Sequence, residues 1–318
     1  MKNEALLSIL ITTYNRAKAV DYLLATLFEY EQKGLLFKVI VSDDGSSDNT
    51  KDISLKWKTR FKDLKYVLLC KNCGMDANFI NAYEACDTPY CWLLGDTRCV
   101  DFGGLKKIID LLSENAYDAL ILNCHDNMKM PSKVYSDINV LMSEQGWHIT
   151  NNSSCIISTF FINKSLYHRY IGTTFLHMGI FVENLCLRND FKVFYLNDVK
   201  VRGLDVPGFK KTGWTCHPFL NFGKLWFIYV MSLPNQIDID IKWKVLKDHN
   251  RYIGLFSVVS VLCGKANFGD VYLKSYRENR RYVKYVSDMS VFVYDILVRI
   301  PSFICKLAKS AYKKVVLK

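Results

Sequence analysis

Apolar runs of strand length alternate with helical patterns through roughly the first 120 residues. Leu6–Ile11 reads as a short buried strand that ends at Thr12-Thr13-Tyr14-Asn15, and a helical pattern follows from about Lys18 to Glu31. Phe37–Val41 is the next strand. It stops at Ser42–Thr50, a stretch of turn formers and helix caps leading into a helix that ends near Arg60. Lys65–Leu69 predicts a third strand, Ala77–Cys86 a helix, Tyr90–Leu94 a fourth strand, Phe102–Ser113 a helix and Asp118–Leu122 a fifth strand. Repeated strand–helix units of this length imply a mostly parallel sheet covered by helices. Open sheets of that kind bind ligands beyond the carboxyl ends of their strands. Polar clusters stand at three of those ends, after Ile11, Val41 and Leu94.

The pattern loosens after about residue 123. Cys155–Phe161 reads as a strand, Met178–Leu187 as a helix and Lys192–Leu196 as another strand, and from about Pro218 the signals are helical and aromatic. The break at Val206-Pro207-Gly208 divides the chain into a sheet-bearing domain, 1–206, and a helical region, 207–318. No apolar stretch reaches the roughly 18 residues of a membrane span, and the longest candidate is Ile253–Cys263. The expectation is a protein not integral to the membrane.

Charge narrows the partners. The formal net charge is +11, so nucleic acid, an acidic lipid surface and a phosphorylated substrate all qualify. Nucleic acid is not expected, because no binding motif is present and the basic residues gather in the tail rather than around the strand ends. Lys274, Arg277, Arg280, Arg281 and Lys284 form one cluster, and Arg299–Lys318 holds six basic residues and no acidic one. In that last stretch Ile300, Phe303, Ile304, Leu307, Ala308, Ala311 and Val315 fall on one helical face, with Lys306, Lys309 and Lys313 opposite. A docked helix or a basic amphipathic helix in the headgroup plane fits this pattern, and an anionic membrane surface is the expected partner. Of eleven cysteines only Cys70 and Cys73 make a C-x-x-C pair, while Cys91, Cys155, Cys263 and Cys305 lie in apolar runs. With no secretory leader visible, the expected compartment is reducing and cytoplasmic.

Thr12-Thr13-Tyr14-Asn15-Arg16 alone reads as a strand-to-helix turn, and Asp43-Asp44-Gly45-Ser46 alone as a capped loop. Together, each closing a parallel strand, they resemble the opening of glycosyltransferase family 2, with its T-x-Y-N-R and D-D-G/N-S-x-D-x-T segments. Asn72-Cys73-Gly74-Met75-Asp76-Ala77-Asn78-Phe79, followed by Tyr90-Cys91-Trp92-Leu93-Leu94-Gly95-Asp96, is similar to the abequosyltransferase-like branch of O-antigen and capsule enzymes. The resemblance implies a GT-A (Rossmann-like) fold and a nucleotide-diphosphate sugar as donor, contacted by Thr12, Tyr14, Arg16, Asp44, Asn78 and Asp96. It also implies a D-x-D that binds Mn²⁺ or Mg²⁺ on the donor diphosphate. Here an ungapped alignment puts Gly95, Asp96 and Thr97 over that triplet. Asp96 then serves ribose or metal, Thr97 is the remaining metal ligand, and Asp101 is a substitute.

Direct displacement at an anomeric carbon needs a group to take the acceptor's proton. The family's usual acid pair at a helix start is replaced by Thr174-Phe175-Leu176-His177-Met178, which makes His177 the candidate base, set against a structural histidine. Glu183 is the next candidate, and Asn163-Lys164 is a candidate lining of the acceptor cleft. The resemblance thus implies an inverting transferase acting on a lipid-linked or oligosaccharide acceptor in bacterial surface-polysaccharide synthesis, peripheral on the inner face of the plasma membrane. The alternative is a non-catalytic nucleotide-sugar-binding or scaffolding subunit with an eroded D-x-D.

Overall fold

The computed structural model describes residues 4–114, 117–188, 190–207 and 216–316, apart from the side chains of 308 and 311–316. The described chain separates into two compact units, 1–141 with 148–209, and 142–147 with 210–318. The boundary read from the sequence was a single cut after residue 206, and Gly208 of that break lies outside the described residues.

In the first unit the elements run β1 (Leu7–Thr13), α1 (Ala17–Gln32), β2 (Lys38–Asp43), α2 (Thr50–Lys58), β3 (Leu64–Leu68), α3 (Met75–Ala85) and β4 (Tyr90–Gly95). Then come β5 (Arg98–Cys99), α4 (Phe102–Ser113), β6 (Ala119–Cys124), β7 (Lys133–Tyr135) and α5 (Ile138–Gln145), whose last turn belongs to the second unit. After these follow β8 (Cys155–Ser158), α6 (Tyr167–Tyr170), α7 (Leu176–Cys186) and β9 (Val193–Gly203). The sheet order is β3-β2-β1-β4-β8-β6-β9-β5, with β7 paired to β9. The block β3-β2-β1-β4 is parallel throughout, and so is β6 with β9. β8 runs antiparallel between β4 and β6, so the strand expected at 118–122 does not lie beside β4.

Strands buried on both faces read as continuous apolar runs, and β1, β2 and β4 are of this kind. Ile9, Ile11, Val39, Val41, Trp92 and Leu94 join Val20, Leu23, Leu24 and Leu27 of α1 and Leu105, Ile108 and Leu112 of α4 in one apolar cluster. α3 packs against β1 and β2 but contributes nothing to that cluster, so it covers the other face.

The second unit is helical. A π-helical turn (Phe219–Leu225) leads into α8 (Trp226–Ser232), α9 (Ile239–Ile253), α10 (Val258–Asn279, broken at Gly269), α11 (Val283–Val286), α12 (Val291–Leu297) and α13 (Ser302–Val316). Its centre is aromatic: the buried ring of Phe219 meets Phe256, Tyr272 and Tyr276 at 5.0–5.2 Å. No single described helix is long and apolar enough to cross a membrane. The pair Ile239–Ile253 and Val258–Val286, bent by 71°, passes that test only together. All eleven cysteines are free thiols.

Candidate functional site

The three polar strand ends meet at one level. Thr12 pairs with Ser42 on one side and Gly95 on the other, which brings the loops after β1, β2 and β4 to the same edge. Two of these loops lock together. Asn15, at φ 52°, accepts hydrogen bonds from the Ser47 and Asp48 backbone N–H groups at 2.7 and 3.3 Å, and its own N–H donates to Ser46 Oγ at 2.7 Å. Asp48 returns the contact by accepting from Ala17 N–H, at the first residue of α1, at 3.0 Å. Much of what makes the two motifs occur together is therefore structural.

The acid pair after β2 divides its work. Asp43 accepts from Ser46 N–H at 2.9 Å and from the Tyr66 hydroxyl at 2.8 Å, closing the loop. Asp44 turns toward the segment before α3 and accepts from Cys73 N–H at 2.7 Å and Gly74 N–H at 2.9 Å. Burial pushes the Asp44 pKa up, and those two N–H groups temper the shift. Gly45 has φ +70°, and a Cβ there would meet the Lys71–Asn72 backbone at 2.6–2.9 Å, so the two loops approach too closely for any side chain.

Around this frame the residues named from the sequence take different places. Tyr14 is exposed and Thr12 half-buried, both open to a ligand. Asn78 is buried, donating to the Thr13 carbonyl at 3.2 Å and accepting from Ser42 Oγ at 2.6 Å. It clamps β1, β2 and α3 together instead of facing a cofactor. Asp96, 3% exposed, accepts from Thr13 Oγ1 at 3.1 Å and from the Arg16 guanidinium at 2.8 Å. Burial raises its pKa, and Arg16 opposes the rise.

These residues do not fit the divalent ion that the resemblance implied. Both oxygens of Asp96 are engaged by Thr13 and Arg16. Thr97 contributes only a hydroxyl, in a turn where its carbonyl accepts from Leu204 N–H at 2.8 Å. Asp101 is the N-cap of α4, accepting from Gly104 N–H at 2.7 Å, which is why an aspartate stands there. No group of three His, Cys, Asp or Glu is gathered for a metal among the described residues.

His177 is the second residue of α7, which begins two residues earlier than the sequence pattern indicated. Its Nε2 lies 3.2 Å from the Thr150 carbonyl, its ring meets Phe79 edge-on at 5.5 Å, and its Nδ1 is buried without a partner. A nitrogen against a carbonyl must carry the proton, so the bare Nδ1 is the acceptor. Burial lowers the imidazole pKa to about 4 and keeps it neutral. The same 150–153 segment reaches the end of β4: Ser153 Oγ accepts from Gly95 N–H at 3.0 Å, and its carbonyl from Trp92 Nε1 at 2.9 Å. His177 and Asp96 are thus tied to one short stretch of chain.

Glu183 has a structural role. Buried, it accepts from Arg169 at 2.7 Å and from the Tyr170 hydroxyl, binding α6 to α7. Asn163 caps the turn at 164–166, and Lys164 pairs with Glu84 at 3.3 Å on the surface. Sequence reasoning missed Ser153 and Arg98. Ser153 carries no local signal, and Arg98 directly follows the Gly95-Asp96-Thr97 triplet on which the reading stopped.

Residues 8–176 match the sequence profile described as Glycosyl transferase family 2. Over 91 residues the chain is 30% identical to abequosyltransferase RfbV of Salmonella typhimurium, covering 28% of this chain and 27% of that protein. Over 62 residues it is 45% identical to a validoxylamine A glucosyltransferase of Streptomyces hygroscopicus subsp. jinggangensis, covering 20% and 14%. The chain thus aligns with about a quarter or less of these relatives' lengths. Among solved structures, S. aureus TarS 1-349 in complex with UDP-GlcNAc aligns with TM-score 0.59 at 15% identity, covering 88% of this chain and 81% of that one. The mannosyltransferase PcManGT of Pyrobaculum calidifontis, in complex with GDP-Man and Mn²⁺, aligns with TM-score 0.53 at 12% identity, covering 98% and 89%. The fold is that of these GT-A proteins.

Proposed function

The chain belongs to glycosyl transferase family 2, and from that premise we propose that it moves a sugar from a nucleoside-diphosphate donor to a lipid-linked or oligosaccharide acceptor in surface-polysaccharide assembly, with inversion at the anomeric carbon. The observation that carries the proposal is the junction of three strand ends, where the Thr13–Asp96–Arg16 group and the Asp44-held loop lie at one edge of a parallel sheet. Tyr14 flanks the base, Asp44 receives a base N–H on its remaining lone pairs, and Asp96 orients the ribose.

In the reaction the acceptor oxygen attacks the anomeric carbon as the bond to the diphosphate breaks. The bonding pair leaves with the phosphate oxygen, and the acceptor proton passes to Nδ1 of His177. The Thr150 carbonyl fixes the tautomer that leaves this nitrogen bare. Positioning and stabilisation of the leaving diphosphate supply most of the acceleration.

The expected site of action is the cytoplasmic face of an anionic membrane. α13 docks on α10, with Cys305 buried and Lys309 donating to Asn267, while Phe303, Ile304 and Leu307 stay exposed with the basic Arg299 and Lys306, a face suited to a headgroup layer. Ala308, Ala311, Lys313 and Val315 of the expected faces have side chains outside the described residues.

The test is a thermal-shift screen of UDP, GDP, CDP and dTDP, followed by donor hydrolysis with the base that binds. A binder at a hundredfold its Kd adds about 2.7 kcal/mol of stability. Binding without any turnover would instead favour the non-catalytic reading, and no binding by any of the four would refute both.

A further inference from the structure

Arg98 is a cation in search of an anion. It lies in the two-residue strand β5, which pairs with Arg202 and Gly203 at the end of β9, three residues after β4 ends. Its stem passes Gly95, where a Cβ would meet Arg98 Cγ at 3.3 Å, and its Nη1 passes Gly203, where a Cβ would lie 3.7 Å away. Gly95 thus leaves room for this side chain where β4 ends, while at Gly203 a side chain would make only ordinary contact.

The only polar contact of the Arg98 side chain among the described residues is His125 Nδ1, at 3.4 Å. Among the described residues no carboxylate lies within ion-pair distance of it, whereas Arg16 close by in the fold is paired with Asp96. Arg98 is half-buried and His125 exposed, and partial burial still lowers the pKa of both groups. His125 is itself held at φ 60°, a costly conformation for a residue with a side chain. A guanidinium partly withdrawn from water without a paired acid is well placed to take an anionic ligand.

Arg16 pairs with Asp96 at 2.8 Å, and both Arg16 and Arg98 act electrostatically on that carboxylate. Thr97 offers no charge where the family's metal ligand is expected, and the next residue, Arg98, brings a fixed positive charge close enough to Asp96 to act on it, which would oppose a divalent ion there.

We infer that Arg98, with the Asp96-paired Arg16, supplies the positive charge that meets the donor diphosphate in place of a divalent ion. The inference rests on the donor reading above. The ligand chemistry it requires is a pyrophosphate oxygen within reach of a planar, multiply donating cation, the geometry for which arginine is suited. The charge stays in place throughout the cycle and stabilises the diphosphate as it departs.

Calorimetric titration tests this without recourse to turnover. The full-length protein is titrated with UDP, GDP and the matching nucleosides, uridine and guanosine, in EDTA and again in Mn²⁺. Wild type is expected to bind the preferred diphosphate with the same affinity, within about threefold, in both conditions. Arg98→Met, which keeps the stem beside Gly95, is expected to bind that diphosphate about tenfold or more weakly, with nucleoside affinity nearly unchanged. Arg98→Lys is expected to recover part of the loss. A requirement for Mn²⁺ in wild type, or normal diphosphate binding by Arg98→Met, overturns the inference and leaves the donor reading standing. Equal loss of nucleoside and diphosphate would also overturn it, since Arg98 would then shape the pocket and not meet phosphate. If wild type binds neither nucleoside nor diphosphate in either condition, the donor reading falls and this inference with it.

Discussion

Arg16 reaches Asp96 at 2.8 Å from a point eighty residues earlier in the chain, closing the gap between the ends of β1 and β4. Asp96→Ala leaves Arg16 and the Thr13 hydroxyl without this acceptor. The expected loss is about 1–3 kcal/mol in denaturant unfolding, moderated because Arg16 is a quarter exposed. Turnover is expected to fall at least about a hundredfold, since the ribose partner and the anchor of Arg16 go together. Asp96→Asn should regain most of the stability but little of the activity. Wild-type turnover by the alanine variant would remove Asp96 from the site.

Gly45→Ala should be among the most damaging single-methyl additions in the chain. The backbone is held at φ +70°, and the added carbon would press on Lys71 backbone atoms that cannot swing away. An expected cost of about 1–3 kcal/mol should appear as a lowered melting temperature, with weaker nucleotide binding because Asp44 and the 73–74 turn are displaced. A variant that melts and binds like wild type would show that the loops can separate freely.

The parallel block of the sheet was legible because β1, β2 and β4 are buried on both faces and therefore read as unbroken apolar runs. Insertion of β8 between β4 and β6 was not legible, because pairing order depends on contacts between segments more than thirty residues apart. The motifs located the site but not the duties within it. Asn15, Asp43 and Asn78 are as prominent in the sequence as Asp44, yet their polar atoms are turned inward to hold loops together. Glu183 looked like a spare base because its partners Arg169 and Tyr170 lie on a separate short helix. Asp101 looked like a metal ligand because a cap and a ligand are the same residue until the helix N-terminus is placed.

Acid should weaken the protein from about pH 6 downward. Burial lowers the pKa of His148 and His177 to about 4 and of His249 to about 3, against about 6.5 in the unfolded chain. Between those values the unfolded chain binds protons that the folded chain refuses, so stability is complete above pH 6.5 and declines as pH falls toward 4. Each such histidine contributes about 1.4 kcal/mol per pH unit in that window. Asp44, Asp76 and Asp96, whose pKa values are raised, take up protons more readily when folded and make the decline shallower. Urea midpoints at half-unit steps from pH 7.5 to 4.5 give the curve, and His249→Phe should flatten it. A midpoint constant across that range contradicts the assignment of three buried neutral imidazoles.

The exposed apolar residues of α13 give a test of membrane contact that leaves the sheet untouched. Phe303→Ser with Leu307→Ser should reduce co-sedimentation with vesicles containing phosphatidylserine, while binding of a soluble nucleoside diphosphate stays normal. Higher salt should weaken wild-type binding as well, because each basic residue near an anionic surface contributes about 1 kcal/mol through a screened interaction. Equal sedimentation of the two proteins would assign the exposed side chains another role.

His177 can be tested separately as a base and as a packing residue. In the folded protein its Nε2 is held by the Thr150 carbonyl and its Nδ1 has no partner, so substitution by Ala removes one anchoring contact and the only free nitrogen. If that nitrogen takes the acceptor proton, turnover should fall by about 10²–10⁴ while donor affinity changes little. The pH profile carries the stronger discrimination. The base works when neutral, and its pKa of about 4 in the free protein predicts kcat/KM level above about pH 5.5 and falling as pH drops through that value. A bound diphosphate adds negative charge near the ring, so the corresponding limb in kcat should lie at higher pH than the limb in kcat/KM. His177→Gln keeps an anchoring amide but cannot accept a proton at comparable strength. It should retain stability, lose turnover and abolish the acid limb. A glutamine variant with near-normal turnover and an unchanged profile would make His177 a packing residue between Phe79 and the 149–150 backbone, and the proton would then have to pass to solvent or to another group.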